Sequence, residues 1–281
     1  MPEGPEVRTV CLCLYPIVNN STLLSIDWTD SCKKHKLIQK YSQLSLPCTI
    51  IAITCRGKKI FIALDNGAFI TSTLGMTGRW WLERSDRNGP KIKHSDIWLT
   101  LRRQHETFTL WYSDPRRFGN LDIWFDYQAM MAKVTKEIGP DMLAYSLGQD
   151  QGVDENEWIS VVAKRPKVQV CQFLMDQSNF SGIGNYLKSE ILYRARIAPQ
   201  RLMESLSIDE VKRLRTVSLD TIKESFLAGG LTISTYWDPE GRRGCFQPLV
   251  YNRTHDPEGR IVVRQTFKDG RSTHWVPGYQ V

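Results

Sequence analysis

The chain changes character once, near Tyr127, and that change limits what it can fold into more than any single motif does. Before it, from about residue 45 to 125, short apolar runs are separated by turn-forming residues. Thr49–Cys55 and Lys59–Leu64 flank the short Arg56-Gly57-Lys58 turn, and Asp65-Asn66-Gly67 separates the second run from Ala68–Thr73. Asn-Gly between apolar runs is the strongest short-range hairpin signal, because tight hairpin turns need positive φ. Asp96–Arg102 and Thr107–Tyr112 read as a further hairpin, with Asn120–Phe125 as a last strand. Beyond Tyr127 the period becomes helical, broken at Gly139-Pro140 and Gly148–Gly152, with helices predicted over 155–164, 168–177, 185–194 and 207–226. From Phe246 to Val281 the chain returns to short β-like pieces with turn residues. A helix is also predicted from Pro5, because Val7, Val10, Cys11, Leu14 and Ile17 share one face. Pro5 suits a first helical position, and Glu6 complements the helix dipole.

These patterns predict an α+β protein of two domains. An N-terminal antiparallel β-sandwich with an attached helix covers 1–126, followed by a linker over 127–152. A helical domain covers 153–246, and a β-hairpin appendage 247–281. The 281 residues are 41% hydrophobic and 24% charged, which supports a sizeable core and excludes disordered, collagenous and coiled-coil classes. No apolar run approaches the roughly 18 residues that span a bilayer, so no membrane association is expected. Met1–Glu6 has neither a basic n-region nor an apolar h-region, so no secretory signal is expected. The seven cysteines are odd in number and form no CxxC pair, as in a reduced intracellular protein. A net charge of +7 with nine tryptophans raises nucleic acid as a partner, though an ordinary basic enzyme has the same balance.

The chemistry starts at the N-terminus. Removal of the initiator methionine would make Pro2 a terminal secondary amine. An α-amine has a pKa near 8, so about a tenth is unprotonated at pH 7. Attack of that nitrogen on a sugar C1′ gives an iminium, which is cationic without a proton and acts as an electron sink. Glu3 beside it is a candidate general acid or base. Taken alone, Pro2-Glu3 reads more readily as a tolerated start of no consequence.

The rest of the chain supplies the context. Pro2-Glu3-Gly4-Pro5-Glu6-Val7 is similar to the N-terminal signature of the Fpg/Nei (formamidopyrimidine-DNA glycosylase and endonuclease VIII) family. Arg56-Gly57-Lys58 resembles its β-hairpin lysine motif. Leu74–Gly78 and Asp114–Gly119 resemble its two base-stack-intruding loops. Leu174–Gln177 with Gly182-Ile183-Gly184-Asn185-Tyr186-Leu187, continued by Ser189–Leu192, resembles its helix–two-turn–helix element. The ordered set covers nearly the whole chain. The resemblance implies a bifunctional DNA glycosylase and AP lyase of base excision repair, acting on damaged double-stranded DNA as a monomer, without a cofactor.

Bacterial members end in a hairpin finger whose four cysteines hold zinc. Val250–Arg253 and Gly270–Thr273 match the finger's flanks, but the cysteine positions align with Glu258, Ile261, Val276 and Tyr279. That set cannot make a tetrahedral zinc site. The departure resembles the zincless finger of the endonuclease VIII-like subgroup, and Cys171 stands where Fpg enzymes usually carry a lysine. The resemblance implies Pro2 as nucleophile, Glu3 as its acid–base partner, and Lys58, Asn185 and Arg271 as phosphate contacts. A target base must leave the stack before C1′ can be reached. Met76, Arg116 and Phe118 are implied fillers of the vacated space; their alternatives are core packing and a solvated charge. Asn185 could be a helix cap, alone or together with a phosphate contact, and Glu6 either helps hold the nucleophile or the abasic sugar or is purely structural. Trp237–Phe246 resembles the lesion-contacting loop, in which Arg242 and Arg243 either read the base or are exposed charges. The subgroup implies oxidised pyrimidines and hydantoins as substrates, then strand cleavage by β,δ-elimination; an 8-oxoguanine or formamidopyrimidine preference is the alternative. A non-catalytic damage-binding protein on the same scaffold is another. The absence of HxxxH, DxD or a Cys/His cluster disfavours a metal-dependent nuclease.

Overall fold

The computed structural model describes residues 2–32, 35–83, 95–150, 152–231, 238–239 and 241–281. The chain forms two compact units. One holds Met1–Pro2, Glu6–Val134 and Thr232–Gly244; the other holds Glu3–Pro5, Thr135–Leu231 and Cys245–Val281.

The first unit is built on helix α1 (Gly4–Val18) and eight antiparallel strands. The strands are β1 (Thr22–Trp28), β2 (Cys48–Arg56), β3 (Lys59–Leu64), β4 (Phe69–Thr73), β5 (Arg79–Glu83), β6 (Ser95–Arg103), β7 (Glu106–Ser113) and β8 (Asn120–Trp124), with the short helix α2 (Lys36–Lys40) after β1. Their order is β5-β7-β6-β1-β2-β3-β4-β8. Strand β1 pairs with β6 over most of its length but meets β2 only at Thr22–Thr49 and Leu23–Cys48. The eight strands therefore divide at that corner into two four-stranded layers, the predicted sandwich. Its core takes Ile50, Ile60, Ile62 and Ile70 from one layer, and Leu23, Ile97, Leu99 and Leu110 from the other. Val7, Val10 and Leu14 of α1 join it, as the helical spacing predicts.

Three elements of this unit escape the sequence patterns. In β1 the register shifts between Leu23 and Ser25, so the core-facing Leu23 and Ile26 stand three apart and period two is lost. In β5 only Trp80 is buried, leaving no alternation to read. Helix α2 is a single short turn burying only Leu37.

The stretch expected as a linker over 127–152 carries two helices, α3 (Tyr127–Glu137) and α4 (Met142–Ser146). The second unit continues through α5 (Glu155–Ala163), α6 (Val170–Met175), α7 (Asn185–Ala195) and α8 (Ile208–Leu227) to a hairpin of β9 (Val263–Thr266) and β10 (Ser272–Trp275). Ser207 and Glu210 form a reciprocal capping box that starts α8. Helix α6 is shorter than predicted because Asp176 Oδ1 accepts from Ser178 N and so closes a turn instead. Helix α7 is the central element, with Tyr186 to Tyr193 all buried. Residues 238–244, expected with the helical domain, cluster with the β-rich unit, whereas the hairpin packs with the helices. Among the described residues no helix is long and apolar enough to cross a membrane.

Candidate active site and nucleic-acid interface

In the helical unit the N-terminus of α7 is built by glycines. Gly182 has φ +109° and its carbonyl accepts Gly4 N at 2.8 Å. A Cβ on Gly4 would lie 3.0 Å from Gly182 Cα, so this approach needs glycine at position 4. Glu3 is 1% exposed. Its Oε2 accepts from Gly184 N at 2.6 Å and Leu187 N at 3.3 Å, and its Oε1 from Tyr186 N at 2.9 Å. These are the unpaired N–H groups of a helix start, and the positive end of the dipole complements the carboxylate charge.

Two expectations change as a result. The phosphate contact expected at Asn185 does not have the start of α7 to itself, because at least three N–H groups there already bind Glu3. The cap is Gly184, so Asn185 is the first helical residue and not a capping side chain. Asn185 is half-buried, and its Nδ2 donates to Ser272 O at 2.9 Å, tying α7 to the hairpin.

In the β-rich unit Pro2 and Glu6 are buried. Lys58 is the second residue of the β2–β3 turn, whose first residue, Gly57, has φ +54°. The Lys58 side chain is half-buried there.

The two loops of the β-rich unit are fastened by Asp114, a buried residue that motif reading passed over. Its Oδ1 accepts from Thr77 Oγ1 at 2.8 Å and its Oδ2 from Gly119 N at 2.6 Å. Thr77 Oγ1 in turn accepts from Arg116 N at 3.2 Å. Gly75 has φ +55°, and a Cβ there would lie 2.6 Å from Gly119 N. The loops thus meet backbone to backbone. Met76 Sδ and Arg116 Nη1 are 3.7 Å apart, and Phe118 is 64% exposed. An exposed phenylalanine is not core packing, so that alternative falls for Phe118.

Arg242 belongs to a turn closed by Asp238. Asp238 Oδ2 accepts from Arg242 Nε at 2.8 Å, and Oδ1 from Arg242 N at 2.8 Å. Arg242 Nη2 also approaches Cys13 Sγ at 3.4 Å. Trp237 and Glu240 of this loop lie outside the described residues.

At the hairpin, the positions aligned with zinc ligands hold other contacts. Val276 packs with Tyr193, Val250 and Val262, and Tyr279 lies against this cluster. The Arg260 guanidinium sits 3.6 Å from the Tyr279 ring centroid. Asp256 accepts from Arg260 Nε at 2.6 Å and from Tyr193 OH at 3.1 Å. Burial, with the charges of Arg264 and Lys188, lowers the His274 imidazole pKa, and His274 packs edge-on to Tyr251. Among the described residues no group of three His, Cys, Asp or Glu side chains is placed to hold a metal. Treatment with a strong chelator is expected to leave the melting temperature unchanged, while Asp256→Ala lowers it; thermal melts of both proteins with and without chelator check this. Arg271 is exposed in the β9–β10 connection, after Gly270 with φ +68°. Sequence reading also missed Glu190, whose buried carboxylate accepts from Leu249, Val250 and Tyr251 N and anchors the start of the finger. Burial raises its pKa despite those bonds.

Residues 1–121 match the model of the formamidopyrimidine-DNA glycosylase N-terminal domain, and 138–236 that of the formamidopyrimidine-DNA glycosylase H2TH domain. A formamidopyrimidine-DNA glycosylase of Exiguobacterium sp. is 32% identical, covering 100% of this chain and 99% of its own. The chain belongs to the formamidopyrimidine-DNA glycosylase (Fpg) family. It is therefore an Fpg-type DNA glycosylase of base excision repair, with AP lyase activity. The crystal structure of MutM (Fpg) from Thermus thermophilus is similar, with TM-score 0.84 at 29% identity over 99% of this chain and 98% of that one. Lactococcus lactis Fpg bound non-covalently to AP-site DNA shares the fold, with TM-score 0.82 at 24% identity over 99% of each chain. The helix–two-turn–helix assignment is thus a property of this Fpg-type chain. The matched domains also leave the hairpin finger outside their bounds, where its departures lie.

Proposed function

We propose that this glycosylase excises oxidised bases through the nitrogen of Pro2, acting after methionine removal. The nitrogen lone pair forms a bond to C1′, and the damaged base leaves with the electrons of the glycosidic bond. The proton shed by the attacking nitrogen passes to the Glu3 carboxylate and on to O4′, so that the sugar ring opens and C1′ becomes an iminium. The iminium acidifies the C2′ proton, whose loss expels the 3′ phosphate; a second, δ elimination expels the 5′ phosphate. The observation that carries this reading is the seat of Glu3. A carboxylate held by three N–H groups at a helix start keeps its charge in a buried place, directly after the proposed nucleophile. Its fixed negative charge suits a neighbour for a developing cation.

The remaining residues take DNA-holding roles. Lys58, Asn185 and Arg271 contact phosphates, Met76, Arg116 and Phe118 fill the space left by the flipped base, and Arg242 faces the lesion. Glu6 supports the N-terminal segment. Oxidised pyrimidines and hydantoins are the main substrates. Cys171 supports this choice: a thiol carries no positive charge at any pH, and this one is fully buried, so the position offers no cation to a damaged purine. The second reading is a formamidopyrimidine or 8-oxoguanine preference, and the names of the relatives favour its formamidopyrimidine part. Borohydride trapping on duplexes carrying single defined lesions tests both. Expected is a crosslink through Pro2 with thymine glycol and hydantoin substrates, at least about tenfold faster than with 8-oxoguanine. The reverse order overturns the substrate choice; no crosslink with any lesion or with an abasic site overturns the mechanism.

A further inference from the structure

The structure points to Lys188 as a positioning residue for Arg271, acting through a buried ion pair with Asp269. Lys188 lies on α7, one helical turn after Asn185. Its side chain is 0% exposed and that of Asp269 2%, and Lys188 Nζ bonds Asp269 Oδ2. A lysine so enclosed cannot itself reach a phosphate in solvent. It has been placed where only a charge partner makes it tolerable, because an unpaired buried ammonium is costly.

What the pair holds is the turn that presents Arg271. Asp269 uses its second oxygen, Oδ1, to accept from Arg271 N at 3.1 Å. One carboxylate thus joins the α7 ammonium to the backbone of the arginine. Neighbouring contacts fix the flanks. Gln169 Oε1 accepts from Lys268 N, and Gln172 Nε2 donates to Lys268 O, both at 3.2 Å. Asn185 Nδ2 donates to Ser272 O at 2.9 Å, and Ser189 Oγ accepts from His274 N at 3.3 Å. Positions 268, 269, 272 and 274 are therefore tied to α7 or to the residues at and just before the start of α6, while the side chain of Arg271 remains exposed. Of these ties only the Lys188–Asp269 bond pairs two full charges, and its carboxylate alone also holds Arg271 N. The pair fixes the direction in which Arg271 leaves the turn.

This rests on the reading of Arg271 as a phosphate contact, and the test separates the two. Affinity for an abasic-analogue duplex is measured against salt concentration. Losing one phosphate contact lowers the slope of log K against log salt by about one. Arg271→Ala is expected to lower the slope by that amount, and Lys188→Met and Asp269→Asn to do the same while adding nothing in the Arg271→Ala background. Because either single change strands a buried charge, the double variant Lys188→Met with Asp269→Leu keeps the experiment decisive. Replacing a buried ion pair by apolar residues is often neutral for stability, so this protein is expected to melt near the wild-type temperature and still show the reduced slope. A stable double variant with the wild-type slope, while Arg271→Ala is impaired, overturns the positioning role alone. A wild-type slope in Arg271→Ala overturns the phosphate reading, and the positioning role with it.

Discussion

A preparation that retains Met1, or carries an uncleavable N-terminal extension, is expected to bind damaged duplex normally and to nick it at least about a thousandfold more slowly. With the chain extended, the Pro2 nitrogen is a tertiary amide whose lone pair is delocalised into the carbonyl, so it cannot attack C1′. The proposed phosphate contacts at Lys58 and Arg271 are untouched by that change, which is why binding persists. Intact mass of each preparation, nicking rate and borohydride crosslinking on the same abasic-site duplex make the measurement. Pro2→Gly is the informative companion. It leaves a free primary amine, which can still attack, but its product must hold a proton to be a cationic iminium, whereas the proline product is cationic at any pH. Its residual activity is therefore expected to fall faster than wild type as pH rises. Normal nicking by the extended protein ends the mechanism and every role assigned around it.

The strand-then-helix division was legible because periodicity survives in sequence, and the proposal for Pro2 could be drawn there because it needs only a residue type at one position. Less legible were features that depend on where a side chain turns. Nothing in the order Glu3, Gly184, Tyr186, Leu187 reveals that one carboxylate meets three N–H groups across about 180 residues of chain. Sequence alone offers Asn185 there as a phosphate contact, whereas the anion seated on the start of α7 belongs to the chain itself. Asp114 begins one of the two loop motifs, yet its task of closing that loop at Gly119 and joining it to Thr77 of the other is visible only in three dimensions. Strand β1 was hidden by a register shift, which moves its buried residues off period two. The finger shows the opposite case. Non-ligand residues at the cysteine positions were readable as a departure, but the contacts standing there, Arg260 on Tyr279 and Asp256 between Arg260 and Tyr193, were not.

Gly184→Ala is expected to reproduce the loss caused by Glu3→Gln, about a hundredfold to ten-thousandfold in base excision, the range associated with general acid–base groups. Position 184 has φ −129°, ordinary extended backbone that alanine adopts without strain. The penalty is steric, because a Cβ there would stand 2.5 Å from Glu3 Oε1. The carboxylate must move, and up to three N–H groups lose their acceptor. Each buried donor left unsatisfied costs about 1–3 kcal/mol, so the melting temperature falls as well. Glu3→Gln differs in a useful way. Its amide keeps one acceptor oxygen but turns an NH2 toward the N–H donors of α7, so the charge and part of the hydrogen bonding are lost without any change in backbone or volume. If the carboxylate matters as a proton acceptor, both variants lose excision while Pro2 itself remains intact, and trapping on a preformed abasic site, which needs no base departure, declines less than excision of a damaged base. Should Gly184→Ala fold with a wild-type melting temperature and full excision rate, Glu3 is not seated where its hydrogen bonds put it. Should Glu3→Gln alone keep full activity, the seat is structural and the proton passes by another route.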